Sequence, residues 1–191
     1  MEKINIGTTA FIYPMPMTLV GANVGGRPNF MAVGWINRCN YKPPLLVAGL
    51  NNRHYTPEGI RENETFSVNI PSIEMIEETD YCGLVSGKKA DKSDLFDVFY
   101  GELKTAPMIK QCTMNIECRL FDIYELPTNN LYIGEIVAAY TEEKYLAEDG
   151  KPDIKKINPF VLTMPDNSFW AVGEYLGKAW GIGKKLMKGG E

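Results

Sequence analysis

Apolar positions fall along this chain in short runs separated by glycine, proline and asparagine, the rhythm of many strands with few helices. Thr18 to Val24 and Phe30 to Asn37 are two such runs around Gly25-Gly26-Arg27-Pro28-Asn29, which predicts a hairpin with a longer loop. Pro43-Pro44 then fixes an extended approach to the apolar run Leu45 to Leu50. Thr65-Phe66-Ser67-Val68-Asn69-Ile70 alternates in polarity and is β-branched and aromatic, so it reads as another strand. Cys112 to Tyr124 and Leu131 to Tyr140 read as two further strands around Leu126-Pro127-Thr128-Asn129-Asn130. Phe160 to Met164 and Ser168 to Val172 read as a closing pair. Thr141 to Asn158 is polar and reads as an excursion or a short helix, and the tail from Gly177 is rich in glycine and lysine, either mobile or packed on a partner subunit. The pattern predicts one mainly β domain over residues 1–191, a small barrel with short helices.

Two earlier segments carry specific helical signals. Thr56 stands where an N-cap belongs and Pro57 at the first helical position, so a helix is expected from Pro57 to Asn63. Ser72 to Cys82 has apolar Ile73, Ile76 and Cys82 between glutamates, the pattern of a short amphipathic helix with a solvated acidic face. The first of these follows a strand that delivers Asn51, Arg53, His54 and Thr56 to an open helix N-terminus. Unpaired N–H groups and the positive dipole end receive an anion there, most simply a phosphate. The plainer reading is an ordinary cap beside a solvated arginine. Further on, Gly83 to Asp94 holds Ser86, Lys88, Lys89 and Lys92. With three residues between Gly83 and Gly87, and no hydroxyl after the lysine, it fails as a P-loop. It remains either a second phosphate-facing loop or an exposed polar one. Gly34, in the run Met31-Ala32-Val33-Gly34-Trp35, marks either close packing or the approach of a flat ligand.

Composition removes several function classes. The net charge of -4 and the lack of a basic arm argue against nucleic-acid binding. No apolar run approaches the ~18 residues that span a bilayer, and no signal peptide is recognisable, so a cytoplasmic location with no membrane contact is expected. One histidine excludes a multi-histidine metal site and any Ser-His-Asp triad not built on His54. Four cysteines without C-x-x-C spacing give no metal signature and read mostly as core residues.

Three segments share one order: Met31 to Trp35, Pro43 to Ile60 with Asn51-x-Arg53-His54-x-Thr56, and Phe66 to Pro71, followed by Ser86-Gly87-Lys88-Lys89-x-Asp91-Lys92. This succession resembles the flavin reductase-like family of FMN-binding split β-barrels, in its flavoredoxin-type branch, over roughly residues 8 to 175. The resemblance implies a six-stranded Greek-key split barrel that forms a homodimer with FMN near the subunit interface. It implies that Met31, Ala32, Val33, Gly34 and Trp35, with Asn37, Arg38, Cys39 and Asn40, line the isoalloxazine. Asn51, Arg53, His54 and Thr56 would hold the phosphate and ribityl chain, with Ser86, Lys88, Lys89 or Lys92 on the other side. Gly34 and Cys39 depart from the serine or threonine usual in the family, which removes one side-chain hydrogen bond to the flavin and weakens another.

The resemblance implies no catalytic side chain, because redox chemistry belongs to the cofactor. Three functions remain open on the residues alone. The first and expected one is an NAD(P)H-dependent reductase of flavin, ferric iron or another acceptor. The alternative is an electron carrier that exchanges electrons with a redox partner protein and oxidises no nicotinamide. The third is a barrel that binds some other phosphorylated small molecule.

Overall fold

The computed structural model describes residues 1–187. The strands and helices follow in the order β1 (Met15–Pro16), β2 (Thr18–Val24), β3 (Arg27–Val33), β4 (Ile36–Asn40), β5 (Leu45–Asn51), α1 (Thr56–Asn63), β6 (Thr65–Ile70) and α2 (Ile76–Leu84). They continue with β7 (Val98–Phe99), β8 (Met108–Ile109), β9 (Met114–Tyr124), β10 (Asn129–Thr141), α3 (Ile154–Ile157), β11 (Phe160–Thr163) and β12 (Ser168–Ala171). The expected tail is described only to residue 187; residues 188–191 lie outside the described part.

One antiparallel sheet dominates, in the order β3-β2-β6-β9-β10-β5-β4. It has seven strands where six were expected. Its two edge strands, β3 and β4, are consecutive in the chain and joined only by Gly34 and Trp35, so the sheet curls back until its edges are two residues apart. The sequence reads Phe30 to Asn37 as one strand, and the structure corrects this. β3 ends at Val33, and by Trp35 the chain has crossed to the other edge, where its carbonyl accepts from the Gly49 N–H at 2.8 Å. Gly34 lies beside Pro16 and Leu162, with atoms 3.6 and 3.4 Å from where a Cβ would sit, ordinary packing distances that would admit a small side chain. A second sheet, β1-β11-β12, covers this junction.

Strand alternation divides the core in two. Val20, Ala22, Met31 and Val33 point inward with Leu46, Ala48, Phe66 and Tyr132, and Ile60 of α1 joins them. Leu19 and Phe30 point to the other face, where Met75, Cys82, Phe96 and Ile109 cover them. β2 and β3 are thus apolar on both faces, which is why the sequence shows them as runs with little alternation. α1 reaches β2 at Gly59, where a Cβ would press on the Asn23 backbone.

Candidate functional site

α1 begins one residue earlier than its sequence suggests. Thr56 is not an N-cap. It is already helical and buried, the cap position is Tyr55, and the Thr56 hydroxyl accepts from Asn29 Nδ2 at 2.7 Å. Asn29, on β3, is itself buried, so this bond ties the helix start to the sheet. The approach is shaped by Asn51, whose Oδ1 accepts from the Arg53 N–H at 3.0 Å, while its carbonyl accepts from the His54 N–H at 3.0 Å. This turn leaves both Arg53 and His54 exposed, with His54 nonetheless lining the cleft beside it.

Two cavities meet at this point. A narrow one of about 190 Å³ runs between the start of α1 and the end of α2, lined by Thr56, Tyr55, Asn29, Ser86, Gly87 and Lys92 among others. A wider one of about 450 Å³ lies over Val33, Gly34, Trp35, Gly49 and Asn51. They share Met31, Ala32, His54 and Gly83, and so form one bent cleft with His54 at its elbow. Trp35 packs over Gly49, with its Cε3 atom 3.5 Å from where a Cβ would sit, giving the wide arm an aromatic floor. Its opposite wall is the β11–β12 hairpin, which contributes Leu162, Met164, Asn167 and Phe169.

Charge is distributed unevenly. Lys92 is only 2% exposed, and its ammonium donates to the carbonyls of Val85 at 2.8 Å and Cys82 at 3.2 Å. Burial lowers its pKa from the ordinary 10.5. His54 is lowered from 6.5, first by desolvation and then by the Lys92 charge, so at neutral pH it is an uncharged imidazole. Burial also pushes the Cys82 thiol up to about 11, leaving it protonated in the wall of the narrow arm. The wide arm has one carboxylate, Asp80, and no lysine or arginine among the described residues lining it.

The structure brings together Met31, Ala32, Val33, Gly34, Trp35, Asn51 and His54 in the wide arm, and Thr56, Ser86 and Lys92 in the narrow one. Others stand apart. Lys88 and Lys89 face a separate depression of about 220 Å³ with Arg27, and Lys88 pairs with Glu58 at 2.6 Å. Asn37, Arg38, Cys39 and Asn40 are exposed on the edge strand β4 and line neither arm. Arg53 lines neither arm and is paired with no carboxylate among the described residues. Sequence reasoning missed Asn29, Cys82 and the β11–β12 wall. A polar Asn29 in the turn before an apolar strand was the one visible signal.

A curled antiparallel sheet thus carries a cleft with a wide arm floored by Trp35 and a narrow arm with a buried cation in its wall. The model of the flavin reductase like domain matches residues 10–156, and the chain belongs to the flavin reductase-like family. Its structure is similar to that of flavoredoxin from Methanosarcina acetivorans, with 62% identity, a TM-score of 0.96, and coverage of 98% of this chain and 100% of that one. Flavoredoxin of Desulfovibrio vulgaris (Miyazaki F) matches at 34% identity and a TM-score of 0.89, covering 95% and 100% of the two chains. An uncharacterised protein of Archaeoglobus fulgidus is 32% identical over 156 residues, 81% of this chain and 86% of that one.

Proposed function

We propose that this protein is an FMN-binding electron-transfer flavoprotein of the flavoredoxin type. The observation that carries the reading is the continuity of the two arms across Ala32 and His54, in a chain 62% identical to a flavoredoxin. FMN suits the cleft: the wide arm is lined by Trp35, Met31, Val33 and Gly34, residues suited to a tricyclic ring, and the narrow arm ends at a helix start with a buried cation beside it. Trp35, Met31, Val33 and Gly34 would hold the ring, and Asn51 and His54 the ribityl chain. Thr56 and Ser86 would form the phosphate end, with Lys92 buried in its wall and the exposed Arg53 adding charge from outside. When bound, FMN supplies hydride or single-electron transfer, and the chain supplies binding, orientation and water exclusion. The family's split-barrel closure across β3 and β4, and a homodimer, complete the reading.

Direct oxidation of NAD(P)H is the weaker alternative. A dinucleotide carries a pyrophosphate, and the wide arm offers it Asp80 in place of a cation. A protein redox partner, docking at the mouth and exchanging electrons through the ring, meets no such mismatch.

An absorbance spectrum of the purified protein tests the whole reading. Flavin bands that persist anaerobically with NADH and NADPH, yet bleach with dithionite, are the expected result. Bleaching by either nicotinamide would make the protein a reductase instead. Absence of flavin bands even after reconstitution with FMN would overturn the assignment.

A further inference from the structure

Lys92 invites assignment as a phosphate ligand, since it is a lysine in the wall of the narrow arm. Its hydrogen bonds point to a different role. A buried ammonium has three donors, and two of them are spent on the carbonyls of Cys82 and Val85, at the C-terminal end of α2. Those carbonyls lie where a helix has no intrahelical partners left and where its dipole is negative, so a cation there is well matched. The chain immediately beyond is Ser86-Gly87, the outer wall of the narrow arm.

That wall is held from its other side by contact. Gly87 lies so close to Asn29 and Tyr55 that an added Cβ would come within 2.8 Å of the Tyr55 ring and overlap the Asn29 amide. Asn29 in turn grips Thr56 at the helix start. The separation of the two ends of the narrow arm, α1 and the 86–87 segment, thus depends in part on where the end of α2 sits. Besides the core packing of Cys82, the two Lys92 hydrogen bonds fasten that end.

Resting on the FMN reading above, we infer that Lys92 is a positioning residue. It clamps the end of α2, and so sets the spacing between Ser86-Gly87 and the start of α1 at which a phosphate is received. Its effect on a phosphate-bearing flavin passes through the wall as well as through charge. Neighbouring titratable groups are His54, held neutral, and Cys82, held protonated, so Lys92 is the one charged group inside this arm among the described residues.

The test uses the full chain and three variants, Lys92→Met, Lys92→Arg and Gly87→Ala. Amide hydrogen exchange is read on the flavin-free proteins, and FMN and riboflavin affinities are read by fluorescence quenching. In Lys92→Met the amides of residues 86–89 are expected to exchange at least tenfold faster while those of β6 and β9 do not change. FMN affinity should fall at least tenfold and riboflavin affinity less than threefold. Lys92→Arg, which keeps charge and donors, should recover part of both losses. Gly87→Ala disturbs the same wall without touching Lys92 and should reproduce the split between the two flavins. Weakened FMN binding with wild-type exchange at 86–89 would make Lys92 a direct ligand and overturn the proposal. So would unchanged FMN affinity in Lys92→Met. If wild-type protein bound no FMN, the function would fall while the exchange result still reported on the clamp.

Discussion

His54 is the single imidazole of the chain and stands where the two arms of the cleft meet, so its titration reports on the site without interference. Proton NMR of its ring should give a pKa below 6.5, and Lys92→Met should raise it by removing the neighbouring positive charge. The folded state holds this proton less tightly than the unfolded chain, so the stabilisation is complete above pH 6.5 and is lost as pH falls through the lowered folded value. Urea midpoints should therefore drop on that acid side, less steeply in His54→Gln; equal slopes would show that the imidazole is not desolvated. Thr56 tests a neutral bond. Thr56→Val leaves the buried Asn29 amide without its acceptor and should cost about 1–3 kcal/mol in a denaturant titration. Arg53 tests charge at the mouth, where Arg53→Ala should weaken FMN binding by about 1.5–3 kcal/mol, the range for a hydrogen bond to a charged group. Unchanged affinity in a calorimetric titration would leave the phosphate to the narrow arm alone.

At the scale of elements, α1 shows where propensity and packing disagree. Alanine in place of a helical glycine is ordinarily favourable by about 1 kcal/mol. At Gly59 the added methyl meets the Asn23 backbone, which cannot swing aside as a side chain would, with the carbonyl carbon 2.8 Å away. Gly59→Ala should instead destabilise by about 1–3 kcal/mol, read as a shift of the thermal midpoint. The same contrast explains what the sequence made legible. Local chemistry showed the strands of the large sheet, the helix beginning near Pro57, and the clustering of Asn51, His54 and Thr56. It did not show that Phe30 to Asn37 is two strands, because Gly34 gives no clue to which edge the chain will join. Nor did it show that Thr56 is buried, because an N-cap and a first helical residue before proline look alike until Asn29 arrives from 27 residues away. The β11–β12 wall was invisible for the same reason. Leu162, Met164 and Phe169 read as a short closing pair, and only the pairing of β11 with β1 carries them over the cleft.

For the molecule as a whole, the apolar surface is the informative quantity. Beyond β12 the chain carries Tyr175, Leu176, Trp180, Ile182, Leu186 and Met187, all exposed, with Leu176 at 92% and Trp180 at 94%. Tyr41 beside the edge strand β4 and Trp35 at the cleft are exposed as well. Scattered exposed apolar residues are ordinary, whereas a concentration of large ones in one short segment is the kind of surface an interaction partner would cover. The proposed homodimer would supply that cover and give a role to Asn37 to Asn40, which line neither arm within one chain and lie on the edge strand β4. Sedimentation equilibrium should then give twice the 21.4 kDa of the single chain. The double variant Leu176→Ser and Trp180→Ser, which alters only exposed positions, should move the mass toward the monomer while the far-ultraviolet dichroism of the sheet persists. If the copies bring β4 to each other's clefts, the monomeric variant should also lose FMN affinity. A monomer that binds FMN as well as the wild type would place the whole cofactor site within one chain, and leave the exposed segment to the redox partner.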